Sequence, residues 1–174
     1  VHANVTTGIV ERVEVIGWGS NGLNVSFSEA FPIFLETYSS ETTHITIQDC
    51  VVSDQHQYMG GYATAIMVQT CQPQAGDRIP WGTRKSQSAL IRRNRTYNIY
   101  GHGYGLGYSE NVLFEDNDCI ESKTGVNIDT GLNRNIEFVG NRFLICNQGI
   151  HTGNPYSGQF ENFKIKDNYF LITK

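Results

Sequence analysis

The chain is poor in charge. Only 17% of its 174 residues are Asp, Glu, Lys or Arg, and the formal net charge is −4. With 39% hydrophobic residues, this balance excludes a self-repelling disordered polymer and implies a surface rich in neutral polar groups. Basic clusters are lacking as well. Arg92, Arg93 and Arg95 come nearest, broken by Asn94, and so short a run does not track a phosphate backbone, so no nucleic-acid partner is expected. No apolar run approaches the ~20 residues of a membrane-spanning helix, so no membrane partner is expected either. Prolines number four against eighteen glycines, a ratio that favours many tight turns over a stiff or extended linker. The four cysteines, Cys50, Cys71, Cys119 and Cys146, lie too far apart for a C-x-x-C or zinc-knuckle pattern. Walker, G-x-S-x-G and H-E-x-x-H motifs are absent.

What is present is a repeat. Four segments share apolar alternation, then a small or polar residue, then asparagine: LIRRN to Asn94, VLFEDN to Asn117, IEFVGN to Asn141 and FKIKDN to Asn168. A fifth, ITIQDC, sets Cys50 where the asparagine would fall. The intervals are 44, 23, 24 and 27 residues; the last three fit the ~20–30-residue coil of a β-solenoid, and 44 fits one coil plus an insertion. After each asparagine comes a second apolar pair, Cys119 and Ile120 or Phe143 and Ile145. A glycine-led strand follows, Gly125-Val126-Asn127-Ile128 or Gly149-Ile150-His151-Thr152. Gly22-Leu23-Asn24-Val25 and Ala65-Ile66-Met67-Val68 are earlier examples. Three short strands of period two per repeat predict an all-β fold: a right-handed parallel β-helix, or three-sided β-solenoid, of roughly six coils forming a single domain over 1–174. An asparagine at one bend is expected to take left-handed backbone angles and to bond neighbouring backbone groups. The cysteines fall at non-matching places of this repeat, which predicts free, mostly buried thiols.

Two stretches depart from the pattern. Residues 69–87 lack alternation and hold Pro73, Pro80, Gly76 and Gly82, so they are expected to form a long projecting loop carrying Arg78, Trp81, Arg84 and Lys85. The N-terminal third, GIVERVEVIGWGSNGLNV and then AFPIFLETYSSE, fits a coil only loosely. Gly17-Trp18-Gly19-Ser20-Asn21-Gly22 matches G-x-G-x-x-G, but it runs into a strand pattern rather than a helix and reads as turn glycines. Neither end offers a cap, and FLITK stops partway through a coil, so further coils of the same chain are expected to flank this segment.

The outward face of the glycine-led strand collects chemistry. Alternation puts Val126 and Ile128 inside, hence Asn127 and Asp129 outside, and it turns His151 outward beside Asn127 on the next coil. Tyr100, His102 and Tyr104 lead into the same strand. A histidine, a carboxylate and several aromatic rings on one side of a stack suit a sugar chain; the plain alternative is an ordinary solvated face. On the first reading Asp129, His102 and His151 would be catalytic. Asn127, Tyr100, Tyr104, Trp81, Arg78 and Arg84 would hold the substrate.

Over 43–174 the coil pattern resembles the pectin-lyase-like superfamily of parallel β-helix proteins. That resemblance implies the fold, and an activity drawn from lyases, hydrolases, esterases, tailspikes and adhesins. GHGYGLGYSENVLFEDNDCIESKTGVNIDTG is similar in layout to the polygalacturonases, whose G-H-G motif matches Gly101, His102 and Gly103. Their basic strand aligns with Asn127, Ile128 and Asp129, where this chain has no cation. Where their paired aspartates should lie, it reads Tyr62-Ala63-Thr64-Ala65-Ile66. An inverting hydrolase needs two carboxylates ~6.5–9.5 Å apart. A lyase needs a base and a cation, and Asp129 alone is a thin calcium site, so no cofactor is expected. The expected role is part of a secreted or cell-surface carbohydrate-active protein, a polysaccharide hydrolase or lyase with a glycan as partner. The alternative is a non-catalytic β-helix: an adhesin, a binding stalk or a tailspike segment, trimeric in the last case.

Overall fold

Short runs of β-branched and aromatic residues with period two make strands that bury one face, and the structure consists of such strands. It is a computed structural model describing residues 2–4, 7–18, 32–37, 43–55, 63–70, 87–107, 109–128, 132–152 and 159–173. In chain order, β1 (His2–Asn4), β2 (Thr7–Glu11), β3 (Glu14–Trp18) and β4 (Ile33–Thr37) come first. Next are β5 (Thr43–Gln48), β6 (Val51–Gln55), β7 (Thr64–Thr70) and β8 (Gln87–Arg92). The longer β9 (Arg95–Gly107), β11 (Asp118–Ile128) and β13 (Arg142–Thr152) alternate with β10 (Ser109–Glu115) and β12 (Leu132–Val139). Finally come β14 (Gln159–Lys166) and β15 (Tyr169–Ile172). Every pairing between them is parallel. One sheet runs β14-β12-β10-β8-β5-β2; the other runs β1-β4-β7-β9-β11-β13-β15, with β6 bridging β3 to β9. Among the described residues there is no helix, hence none long and apolar enough to cross a membrane.

Equivalent residues stack as inward ladders. Ile47, Ile91, Phe114 and Phe138 align, with the Phe114 and Phe138 rings stacked at 5.0 Å. Ile33, Ile66, Tyr104, Val126 and Ile150 form another ladder, and Leu35, Val68, Leu106 and Ile128 a third. Nearly all of these side chains are fully buried, Ile150 alone lying half-buried.

The repeated asparagine is the joint between the sheets. Asn117 sends both its backbone N–H and its side-chain Nδ2 to Asn141 Oδ1, each at 2.9 Å, and its Nδ2 also donates to Ile91 O at 2.7 Å. Asn94 makes the same bonds to Asn117 and Ile47, and Asn141 the same to Asn168 and Phe114. Each carboxamide therefore ties three successive repeats. Cys50 occupies the place expected of it: its N–H donates to Asn94 Oδ1, and its thiol faces the carbonyls of Gln48 and Val10.

Three expectations need correction. The left-handed residue is not the asparagine but the one before it: Asp49, Arg93, Asp116, Gly140 and Asp167 have φ between 51° and 67°. That kink turns the following asparagine inward, where a backbone bent on itself would have left it exposed. The N-terminal third also holds the register more closely than its sequence suggests. Thr7 to Glu11 pair with His44 to Gln48, and Ile33 pairs with Ile66. The stretch 69–87 begins with the last residues of β7 and ends with the first of β8; residues 71–86 and 19–31, including Cys71 and Gly22 to Val25, lie outside the described residues. Cys50, Cys119 and Cys146 are free and buried.

Replacing Asn117 by alanine removes the acceptor of two buried N–H groups and two donors at once. Its unfolding free energy should fall by roughly 3 kcal/mol. The exposed Asn135, whose carboxamide bonds Asn111 in a second, solvent-facing column, should cost only about 1 kcal/mol as alanine. Urea denaturation of the two variants side by side measures the difference.

Candidate functional site

The second halves of β9, β11 and β13, together with β7 and β4, form one ribbon of parallel strands. Between its inward ladders runs a row of opposite parity: Phe34, Met67, Gly105, Asn127 and His151, each in register with the next. Strand alternation alone would leave this row in solvent. Instead Phe34, Met67 and Asn127 are buried, Asn127 with 8% of its surface exposed, and only His151 is half-open. The ribbon is thus covered on both faces towards β4 and opens towards β13. At that opening His151 Nδ1 lies 3.0 Å from Asn127 Oδ1, an acceptor that holds the imidazole with its proton on Nδ1.

A neighbouring row begins the same strands: Thr64, His102, Thr124 and Gln148 are in register, and Thr124 Oγ1 donates to Gln148 Oε1 at 3.2 Å. His102 is half-buried and donates its backbone N–H to Ala63 O at 2.8 Å. Its flanking glycines have packing reasons. A methyl group on Gly101 would collide with the Ala63 carbonyl oxygen, and one on Gly103 with Cys119 Sγ, so only glycine lets the chain pass. Burial pushes the His102 pKa down to about 4, helped by the positive charge of Lys123 and by His151. His102 is therefore a neutral imidazole at pH 7, able to accept or relay a proton.

The other expected site residues fare unevenly. Tyr100 is exposed on the approach to His102, as a sugar-stacking ring requires. Tyr104 must be removed from the site: it is fully buried in the inner ladder, its ring edge-on to Phe114. Its hydroxyl sits 2.9 Å from Asp118 O and 3.0 Å from Asn94 O, one of which takes its proton. The strand parity that faces His151 outward faces Tyr104 inward, because Tyr104 is in register with Val126 and not with Asn127. Asp129, Trp81, Arg78 and Arg84 lie outside the described residues.

Carboxylates near the site are engaged elsewhere. Asp118 is clasped by Arg142, and Glu110 lies 2.6 Å from Arg134 on the other sheet. Glu121 occupies an exposed left-handed bend. Lys123 and His151 both act to lower the His102 pKa. Among the described residues no group of three or more His, Cys, Asp or Glu is arranged to hold a metal ion. Sequence reasoning missed Lys123, whose only signal is its place one residue before the threonine that faces His102.

No family model, curated protein or solved structure matches the chain. What the fold defines is a class, an all-β protein of parallel sheets with one ribbon that opens at the Asn127–His151 pair.

The depressed His102 pKa has a consequence for stability. The unfolded chain binds a proton near pH 6.5 that the folded chain resists until about pH 4. The stability this neutral histidine allows is complete above pH 6.5 and is lost as pH falls through that window. Melting temperature should decline between pH 6.5 and 4, and His102→Gln should flatten the decline; calorimetry across that range checks it.

Proposed function

We propose that the two sheets wind as a right-handed, three-sided parallel β-helix of the pectin-lyase-like kind, with roughly six coils. We read the chain as part of a secreted or cell-surface protein that acts on a polysaccharide, bound across the coils at the open end of the ribbon. The observation that carries this reading is the Asn127–His151 hydrogen bond at the half-open end of the ribbon, with the half-buried His102, a neutral imidazole at pH 7, on a strand of the same ribbon. Tyr100 would stack on a sugar ring, and Lys123 would draw a substrate carboxylate. Asp129, as a further catalytic group, and Trp81, Arg78 and Arg84, as substrate-holding groups, belong to this proposal but lie outside the described residues.

A second reading, a non-catalytic glycan-binding or structural β-helix, is favoured by one specific observation. The described carboxylates around the site are ion-paired or turned away, so no acid pair for an inverting hydrolase stands there among the described residues. On this reading the same opening binds sugar without cleaving it, and a trimer would mark a tailspike-like stalk.

The chain, incubated with a panel of acidic and neutral polysaccharides, should release reducing ends or unsaturated products from at least one of them. His102→Ala and His151→Ala should each slow that release by roughly 10²–10⁴-fold, the usual contribution of a proton-transfer group. Retarded migration in glycan-containing gels without product supports the binding module instead. Full activity in both variants removes the histidines from the mechanism.

A further inference from the structure

Three nucleophilic side chains meet in the interior of the stack, among the apolar ladders. Cys119 and Ser122 lie on β11 and Cys146 on β13; all three are buried, the two thiols completely. Ser122 Oγ stands 3.1 Å from Cys119 Sγ and 3.2 Å from Cys146 Sγ, so one hydroxyl bridges two thiols. Cys146 Sγ also reaches back to 3.6 Å from the Cys119 carbonyl oxygen. Neither the asparagine joint nor the proposed glycan opening uses this group.

The two cysteines occupy places in the repeat that do not match, and a bend is what brings them together. In register, Cys119 lies opposite Phe143, and Ser122 opposite Cys146. Glu121 and Ile145, with φ of 55° and 56°, kink the strands just before Ser122 and Cys146. Each kink turns the inward residues on its two sides into one corner, which sets Cys119 of one repeat diagonally across from Cys146 of the next. In the preceding repeat the same corner holds Thr96 and Ile99, which carry no sulfur. Cys50 faces the carbonyls of Gln48 and Val10 instead. The paired thiols also differ in proton affinity. A hydrogen bond from Cys119 holds the Cys146 thiol below its usual pKa, while burial pushes that of Cys119 up. One sulfur is thus the readier thiolate and the other the retained thiol, the division that disulfide exchange uses.

We propose that Cys119 and Cys146 are the two halves of a disulfide that staples β11 to β13, made by exchange with a small disulfide such as oxidised glutathione. The Cys146 thiolate attacks one sulfur of the small disulfide and expels a thiolate, leaving a mixed disulfide. Cys119 then gives up its proton, attacks the Cys146 sulfur and expels the second thiolate. Two protein thiols are oxidised to one disulfide, one small disulfide is reduced to two thiols, and the two protons end on the thiols released. Both sulfurs are sealed in the packed fold, so the exchange belongs to the stage of folding when the corner is still open. As the sulfurs close to a bonding distance of about 2 Å, the Ser122 hydroxyl moves aside. The bond fixes β11 against β13 in the register that, five residues on, sets Asn127 beside His151. It stands on the corner geometry and is independent of the glycan reading.

The test is to refold the chain in a glutathione redox buffer, alkylate the remaining thiols in denaturant and map the unreduced peptides by mass spectrometry. A cross-linked pair holding Cys119 and Cys146 should dominate, with Cys50 alkylated. The oxidised chain should melt roughly 5–15 °C above the reduced one. Cys119→Ser and Cys146→Ser should each abolish that rise, and Cys50→Ser should keep it. The peptide map of the native chain decides the matter even where a variant fails to fold. Both thiols alkylated after oxidation, or either bonded chiefly to Cys50 or Cys71, overturns the proposal. So does an equal yield of the pair from a chain oxidised in denaturant, or an oxidised chain that melts no higher than the reduced one.

Discussion

Everything in this molecule hangs on one buried joint, the column of carboxamides at Asn94, Asn117, Asn141 and Asn168. A parallel strand must turn sharply to begin the next sheet, and that turn strands backbone N–H and C=O groups in the interior, where leaving them unpaired costs about 1–3 kcal/mol each. Asparagine answers with two donors and an acceptor at the right length, linking Ile91, Asn117 and Asn141 in one motif. Aspartate would bring a buried charge and no donors, and glutamine would be too long. Because each amide bonds both its predecessor and its successor, the column also fixes spacing and register, and the register in turn decides which side chains face in.

That register is what makes the candidate site. His151 meets Asn127 because Asn117 meets Asn141 a few residues upstream at the same interval of 24. The same constraint removes Tyr104 from the site, since its phase along the strand is that of Val126. Gly101 and Gly103 belong to this logic too. The motif G-H-G, suggestive of chemistry when read as text, is here a requirement of close packing against Ala63 and Cys119 that also sets the depth of His102. Depth then lowers the pKa of His102, so packing and proton affinity are two results of one placement.

Much of this was legible in the residues. The interval of the asparagines gave the pairing of β8, β10, β12 and β14, the place of Cys50 and the meeting of Asn127 with His151, because a repeating joint transmits one register to every residue between joints. Alternation sorted Val126 and Ile128 from Asn127 for the same reason. The sequence could not reveal which bend residue takes the left-handed turn, since Asp116 and Asn117 suit it equally and only burial of the amide separates them. Nor did alternation foretell that Phe34, Met67 and Asn127 would be covered on their outward side, or that Tyr104 would lie within. Local pattern determined the repeat and its period. What lies over a face, and how deep a histidine sits beneath it, depends on residues distant in the chain, and only the tertiary structure decided those.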